Sequence, residues 1–512
     1  MAVSPVLGAR RMWESWPAAE NPAACPVFTE EGDYAMSSSR RILLATLLPA
    51  FVVGGLLVAA TPASANVAVT QVSADPFTDA QAQHRTEVEP DTFSFGTTIV
   101  SAFQVGRVFG GGSSNIGFAT STNGGASWTQ GQLPGLTGNS GGPCGQVSDP
   151  SVAFDAQDNV WLISSLGVNC PNGNPVFTSR STNGGLTWSS PVTTAAGALD
   201  KNWIVCDNTA SSPFFGNCYT EYDISGSGDA LRMQRSTDGG LTWGPALAPG
   251  SPNTGLGGQP VVRPNGTVLV PYQSLNGQIR SFRSIDGGAS WRATVLVSAV
   301  SHHTVAGGLR SGFLPSVEID SAGTAYAVWS DCRFRSGCPG NDIVLSKSTS
   351  ETTWGAPIRI PIDATTSTVD HFIPGISVDR STSGTTARIG VTYYFYPTAN
   401  CTAATCQLSV GFISSINGGT SWSAATQIAG PMNLSWIPNT SQGRMFGDYI
   451  STSTVNGGRA FPVVPIATAP TGSTFTMGMF TPTGGLAITG GAARSTTPVE
   501  AAGQVLSPAT AF

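Results

Sequence analysis

Beyond residue 66 the apolar positions fall into short runs, alternating or continuous, broken at close intervals by clusters of Asp, Asn, Gly and Ser. The stretch DPSVAFDAQDNVWLISSLG, from Asp149, ends one run at an Asp-Asn pair and opens the next at Val160. QPVVRPNGTVLVPYQ, from Gln259, does the same around Asn-Gly. Period-two or short continuous apolar runs bounded by turn residues predict strands joined as hairpins. No stretch past residue 66 carries the 3.6-residue period of an amphipathic helix, so the predicted class is all-β.

The strand pattern repeats. STNGGASW (121–128), STNGGLTW (181–188), STDGGLTW (236–243), SIDGGASW (284–291) and SINGGTSW (415–422) are variants of one octapeptide, and KSTSETTW (347–354) is a degenerate sixth. Their tryptophans are 48 to 68 residues apart, the length of one supersecondary unit. In each, Asn or Asp followed by Gly-Gly supplies the positive-φ residues of a tight turn, and the Asn or Asp side chain is placed to accept bonds from the turn's own backbone. The octapeptide is therefore expected between the last two strands of a four-stranded sheet, with its Trp packed between sheets. Such sheets repeated radially give a β-propeller. Six units carry a box and a seventh, around 447–480, does not; the strand in NVAVTQVS (66–73) is expected to complete that last sheet and cover its edge. Seven blades are favoured, with six the alternative.

Composition narrows the setting. Residues 36–65 read as an export signal, with Arg40 and Arg41, an apolar run and Ala63-Ser64-Ala65 as cleavage site. Residues 1–35 are then a mis-assigned start, 66–490 one propeller and 491–512 a tail. Setting aside Cys25, the remaining cysteines of the nine fall into neighbouring pairs: Cys144 and Cys170, Cys206 and Cys218, Cys332 and Cys338, Cys401 and Cys406. That spacing suits short disulfides in an oxidising compartment, so a secreted protein is expected, free of the membrane after signal cleavage. A net charge of −6 with only two lysines leaves no basic stripe for nucleic acid. A monomer is expected, with no cofactor beyond an optional structural calcium.

The octapeptides match the pattern Ser-x-Asp/Asn-x-Gly-x-x-Trp and are identified as Asp boxes, or BNR repeats. Over roughly 85 to 490 the chain resembles secreted bacterial sialidase-like propeller proteins. The resemblance implies a glycan substrate and, for true sialidases, six blades, three arginines on the substrate carboxylate, a Tyr and Glu nucleophile pair and an Asp acid/base. The Arg-Ile-Pro motif of the first arginine has no match here: FIP at Phe372–Pro374 lacks the arginine. Tyr393, Tyr394 and Tyr449 are the tyrosines available as nucleophiles.

The boxes themselves are read as scaffold. In a propeller the first strand of each blade lines the central channel, so residues just before those strands should meet at one mouth. These are Glu87 and Glu89, Asp149, Asp200 and Lys201, Gln259, Arg310, Asp370 and His371, and Arg444 and Asp448, in a chain only 11% charged. Glu89, Asp149, Asp200 and Asp370 are the candidate catalytic carboxyls. Glu87, Lys201, Arg310, His371, Arg444 and Asp448 are the candidate substrate contacts, with no metal ligands among them. Grouped carboxyls facing cations suit glycoside hydrolysis of a terminal acidic sugar, of the exo-α-sialidase type. The alternatives are a non-catalytic glycan-binding propeller, with Trp161, Trp203 and Trp329 as stacking platforms, and a polysaccharide lyase using His371 or a Tyr beside Arg444. His302 and His303 are read as loop residues.

Overall fold

Hairpin turns govern the architecture of the computed structural model, which describes residues 67–455 and 457–491. The expected start and signal segments (1–35 and 36–65) and nearly all of the expected tail lie outside the described residues. Among the described residues, seven antiparallel strand groups, called sheets below, follow one another along the chain, the first two joined in one ladder, with a two-stranded ribbon, Asn439–Thr440 and Gly443–Arg444, between the sixth and the seventh. The first comprises Glu87–Phe95, Thr98–Arg107, Ser113–Ser121 and Thr129–Gln132; the second, Gln146–Asp155, Val160–Val168, Val176–Ser181 and Val192–Ala195. Ser113 opposite Val147 joins these two sheets. The third comprises Leu199–Cys206, Cys218–Ile224 and Ala230–Ser236; in the fourth, Val261–Val262 leads into Val268–Ser274, Gln278–Ser284 and Val295–Ala299. The fifth is Ser316–Ile319, Ala325–Asp331, Asp342–Ser348 and Ile358–Arg359; the sixth is Asp370–Val378, Ile389–Tyr396, Gln407–Ser415 and Thr426–Asn433.

The seventh sheet is completed from the far end of the chain. Ser451–Val455, Arg459–Thr471 and Thr474–Pro482 are joined by Val69–Gln71, with Val69 opposite Pro482 and Gln71 opposite Phe480. This is the pairing expected of the N-terminal segment. It covers the open edge of Thr474–Pro482, which would otherwise present unpaired backbone groups.

The five full octapeptides fold identically. Each runs from the end of a sheet's third strand, and its opening serine accepts the amide of the second glycine, Gly125 to Ser121 at 2.8 Å and Gly240 to Ser236 at 2.9 Å. The Asn or Asp side chain accepts the amide four residues on, at 2.9 Å in Ser127 to Asn123 and in Thr242 to Asp238. The second glycine also lies flush against the preceding sheet: a Cβ on Gly125 would stand 2.1 Å from the Phe461 ring, and one on Gly240 3.0 Å from Leu162. The degenerate sixth copy lacks the glycines, and the Arg263 guanidinium from the fourth sheet donates instead to the carbonyls of Ser348 and Ser350.

Apolar faces pack sheet on sheet. Val100, Ile116 and Phe118 of the first sheet meet Phe154, Trp161 and Ile163 of the second, and Tyr219 and Met233 of the third meet Val270 and Phe282 of the fourth. The first strands pack side by side in chain order, and Ser451–Val455 returns beside Glu87–Phe95. Polar side chains stitch them together: Val152 N donates to Asp91 at 2.7 Å, Asn202 to Asp149 O at 3.1 Å, and Ser451 to Thr92 O at 3.2 Å. All four expected cysteine pairs are disulfides. No helix among the described residues is long and apolar enough to cross a membrane.

Candidate functional site

The leading ends of the first strands share one backbone device. Glu89, Asp149, Lys201 and Ile373 hold φ of 56°, 46°, 38° and 47°, and each sits at a break in its ladder, between Val88 and Asp91, Ser148 and Ser151, Asp200 and Trp203, and Phe372 and Gly375. These are β-bulges, which re-aim one side chain out of the alternating pattern. Three of the four precede a proline (Pro90, Pro150, Pro374), whose ring favours extended backbone in the residue before it. The left-handed conformation is thus held against local preference by the surrounding sheet, a kind of strain that concentrates at functional sites.

Three of those bulged residues are charged, and they share an electrostatic environment with Asp448 and Arg310. Lys201 Nζ lies 3.3 Å from Asp149 and 3.6 Å from the centre of the Tyr449 ring. Glu89 accepts the Asp448 amide at 3.1 Å and the Gln104 side chain, and Gln104 also accepts from Arg107 at 2.9 Å. Arg310 is ion-paired with Asp448. Its backbone is set by Arg444, whose carbonyl accepts the Arg310 amide at 2.7 Å. The group therefore contains three cations, Arg107, Lys201 and Arg310, among the carboxyls of Glu89, Asp149, Asp200 and Asp448.

Depth divides their roles. Glu89, Asp149, Lys201 and Arg107 are buried, whereas Asp200 and the side chains of Arg310 and Asp448, 29% and 14% exposed, reach solvent. Burial, then the charges of Asp149 and Asp448, pushes Glu89 up to about 7. Burial and the Asp149 charge push Asp200 up to about 6. Burial alone would lower Lys201, yet the charges of Asp149, Glu89 and Asp448 hold it above its usual range. Behind Asp200, and opposite it in the ladder, Asp223 is fully enclosed and raised well above the carboxylate range by burial, then by Asp200. Lys201, Trp203, Gln259, Ile373, Asp448 and Tyr449 line a cavity of about 20 Å³, room for a water and not for a sugar ring.

Four expected members are engaged elsewhere. Glu87, two residues before the bulge, stays in ladder register with Val105 and turns toward the seventh sheet, where it accepts the Met479 amide at 2.9 Å and the Ser73 hydroxyl. Asp370 is wholly buried and accepts from Asn341 N at 2.7 Å, with His303 Nδ1 at 3.1 Å. His371 packs on Tyr393 beside Arg335, Asp342 and Asp363. The Arg444 guanidinium bonds the Ile437 carbonyl, so its contribution to the site is through main chain. Asp342, Asp363 and His371 present ligand atoms within 4.8 Å of one another, but Arg335 and Arg359 already pair with both carboxylates, a poor setting for a further cation.

The aromatic candidates are structural. Trp161, Trp203 and Trp329 are 2%, 8% and 0% exposed and offer no stacking face to solvent. Tyr449 donates to Pro150 O at 2.9 Å and Tyr394 to Phe446 O at 3.2 Å, and burial raises both hydroxyls above their ordinary range. Sequence reasoning missed Arg107, the one charged residue of the strand Thr98–Arg107, and the pairing of His303 with Asp370.

No family model matches the chain. Among curated proteins, a sialidase of Bacteroides fragilis is 30% identical over 108 residues, covering 17% of this chain and 20% of that protein. A xyloglucanase, Xgh74A, of Acetivibrio thermocellus is 31% identical over 166 residues, covering 30% and 18%. The chain thus spans about a fifth of the length of these relatives. Among solved structures, a polysaccharide lyase titled an ulvan lyase aligns with a TM-score of 0.45 and 10% identity over 80% of this chain and 95% of that one. The Trypanosoma rangeli sialidase aligns at 0.43 and 11% over 82% and 59%, and a Dyadobacter fermentans protein of unknown function at 0.44 and 16% over 69% and 99%. At such scores these neighbours add no argument to the β architecture already described.

Proposed function

We propose that the seven sheets are the blades of one secreted Asp-box propeller and that the leading ends of their first strands form the mouth of its channel, where a terminal acidic sugar is hydrolysed from a glycan. One observation carries this reading: carboxyls and cations from separate sheets, three of them on matching strained bulges, gather around the partly exposed trio Asp200, Arg310 and Asp448. Arg310 is the gripping group, since a guanidinium binds a carboxylate through two parallel bonds. Asp200 is the acid: partly exposed and raised to about 6, it keeps a proton for a leaving glycosidic oxygen to a higher pH than an ordinary aspartate does, most fully below pH 6. Glu89, Asp149 and Lys201 lie deeper and set the charge against which Asp200 titrates. The sugar is met at the surface of the mouth, outside the small cavity beside Lys201. The partial likenesses to a sialidase and a xyloglucanase are consistent with glycan chemistry.

The test is release of free sugar from a panel of sialosides and uronic-acid glycans. Asp200→Asn is expected to cut turnover at least a hundredfold with little change in KM, and Arg310→Ala to raise KM for the acidic substrate. A second reading, glycan binding without turnover, draws on the existing neutralisation of Arg310 by Asp448 and of Lys201 by Asp149. It is favoured if the panel binds and nothing is released.

A further inference from the structure

At the opposite, trailing ends of the same first strands lies a much larger space. A cavity of about 750 Å³ is lined by residues 92–96 of the first sheet, 205, 206 and 208–211 at and just after the end of the third sheet's first strand, 262 and 264 of the fourth, 318–321 of the fifth, 377, 378, 380 and 381 of the sixth and 452–454 of the seventh. That volume lies within the roughly 300–1,000 Å³ of small-molecule sites. We propose that this cavity is a second carbohydrate site, built for a neutral saccharide.

Its wall has the two surfaces that a sugar ring requires. One is aromatic: Phe95 is 42% exposed, with one side against Phe154 at 4.5 Å between centroids, and its uncovered side is a platform for the C–H face of a pyranose. Neighbouring Phe93 is not available for this, because the Arg380 guanidinium covers it at 4.8 Å. The other surface is polar. Arg380 is held by Glu318 at 2.9 Å, a donor beside an acceptor that together match a pair of adjacent sugar hydroxyls. Ser94 and the exposed Ser211 add hydroxyls, whereas those of the buried Ser377 and Thr452 are turned to the carbonyls of Gly390 and Gly375.

The charge of this wall excludes other ligands. Glu318 and Asp320 outnumber Arg380, and no further cation lines the cavity. A phosphate, a sulfated sugar or a sialic acid would therefore be repelled here. A purely apolar ligand would strand the hydroxyls. The two ends of one set of strands would thus take different parts of a glycan. The inference stands on this cavity alone and survives if the proposed hydrolysis fails.

Isothermal titration of the full chain with maltose, cellobiose and lactose, and with 3′-sialyllactose as the anionic probe, tests it. At least one neutral sugar is expected to bind, with Phe95→Ala and Arg380→Ala each weakening it tenfold or more. Arg310→Ala should leave that binding intact, and Phe95→Ala should leave glycan turnover intact. Because the Phe95 and Arg380 side chains are both substantially exposed, far-UV circular dichroism should be unchanged in these variants. The proposal is overturned if no neutral sugar binds at millimolar concentration, if binding is equal in wild type, Phe95→Ala and Arg380→Ala, or if 3′-sialyllactose binds Arg310→Ala as tightly as the neutral sugars do.

Discussion

Lys201 shows how much one buried side chain holds in balance at the leading ends. It faces Asp149 and the Tyr449 ring and is 7% exposed. Replacing it with methionine leaves Asp149 buried without its cation, a loss of about 3–5 kcal/mol, measurable by urea unfolding. The double variant Asp149→Asn with Lys201→Met should recover most of that loss, because neither charge is then stranded. For Asp200 the expected signature is a pH profile. Its acid form is needed, so kcat/KM should decline as pH rises through about 6 and be flat in Asp200→Asn at the residual rate. Composition and position were enough to nominate Glu89, Asp149, Asp200, Lys201, Arg310 and Asp448. They could not exclude Glu87, because a bulge that shifts register at Glu89 and not two residues earlier is a tertiary event with only a Glu-Pro dipeptide as its trace.

At the scale of the element, the octapeptide separates two costs that glycine avoids. Gly124 has φ of 68° and open space where a Cβ would go; Gly125 has φ of 84° and the Phe461 ring at 2.1 Å. Gly124→Ala should cost only the left-handed penalty, about 1–2 kcal/mol. Gly125→Ala should cost clearly more, since ring and backbone must also part, and thermal unfolding of the two variants measures the difference. This chemistry was legible from Ser, Asn or Asp and Gly-Gly in order, because a turn is closed by its own residues. The degenerate sixth box was legible only by position: its substitute, the Arg263 guanidinium, comes from a different sheet. The same locality explains why Arg335, which reaches His371 from the loop after Asp331, and Arg359, which pairs with the neighbouring Asp342 from the fifth sheet's last strand, were not foreseen.

For the whole molecule, protonation and closure set the stability. Glu87 is pushed by burial from 4.5 up to about 8 and Asp91 from 3.8 up to about 7. Both hold a proton in the fold that the unfolded chain releases near pH 4. Their contribution is fully present below the unfolded values and is lost as pH rises through 7 to 8, with a slope of up to about 1.4 kcal/mol per pH unit for each group. Unfolding midpoints should therefore be higher at pH 5 than at pH 8, and Glu87→Gln should flatten the slope. Val69–Gln71 acts at the same scale: a chain lacking residues 67–73 exposes Thr474–Pro482 and removes the Ser73 partner of Glu87, so its melting temperature should drop and its tendency to associate rise. Six units of the succession were readable from repeat spacing, a boxless seventh only from its leftover strand pattern, and the return of the N-terminal strand from the missing partner in that last unit.

The disulfides join residues only 26, 12, 6 and 5 positions apart. Eight cysteines allow about 105 complete pairings, yet none of the four loops encloses or crosses another. Among these eight, in any chain that enters an oxidising space N-terminus first, each cysteine meets its proper partner before a later one emerges. Oxidation in order of arrival yields the native connectivity with little need for reshuffling, so the covalent pattern is already written into the direction of synthesis.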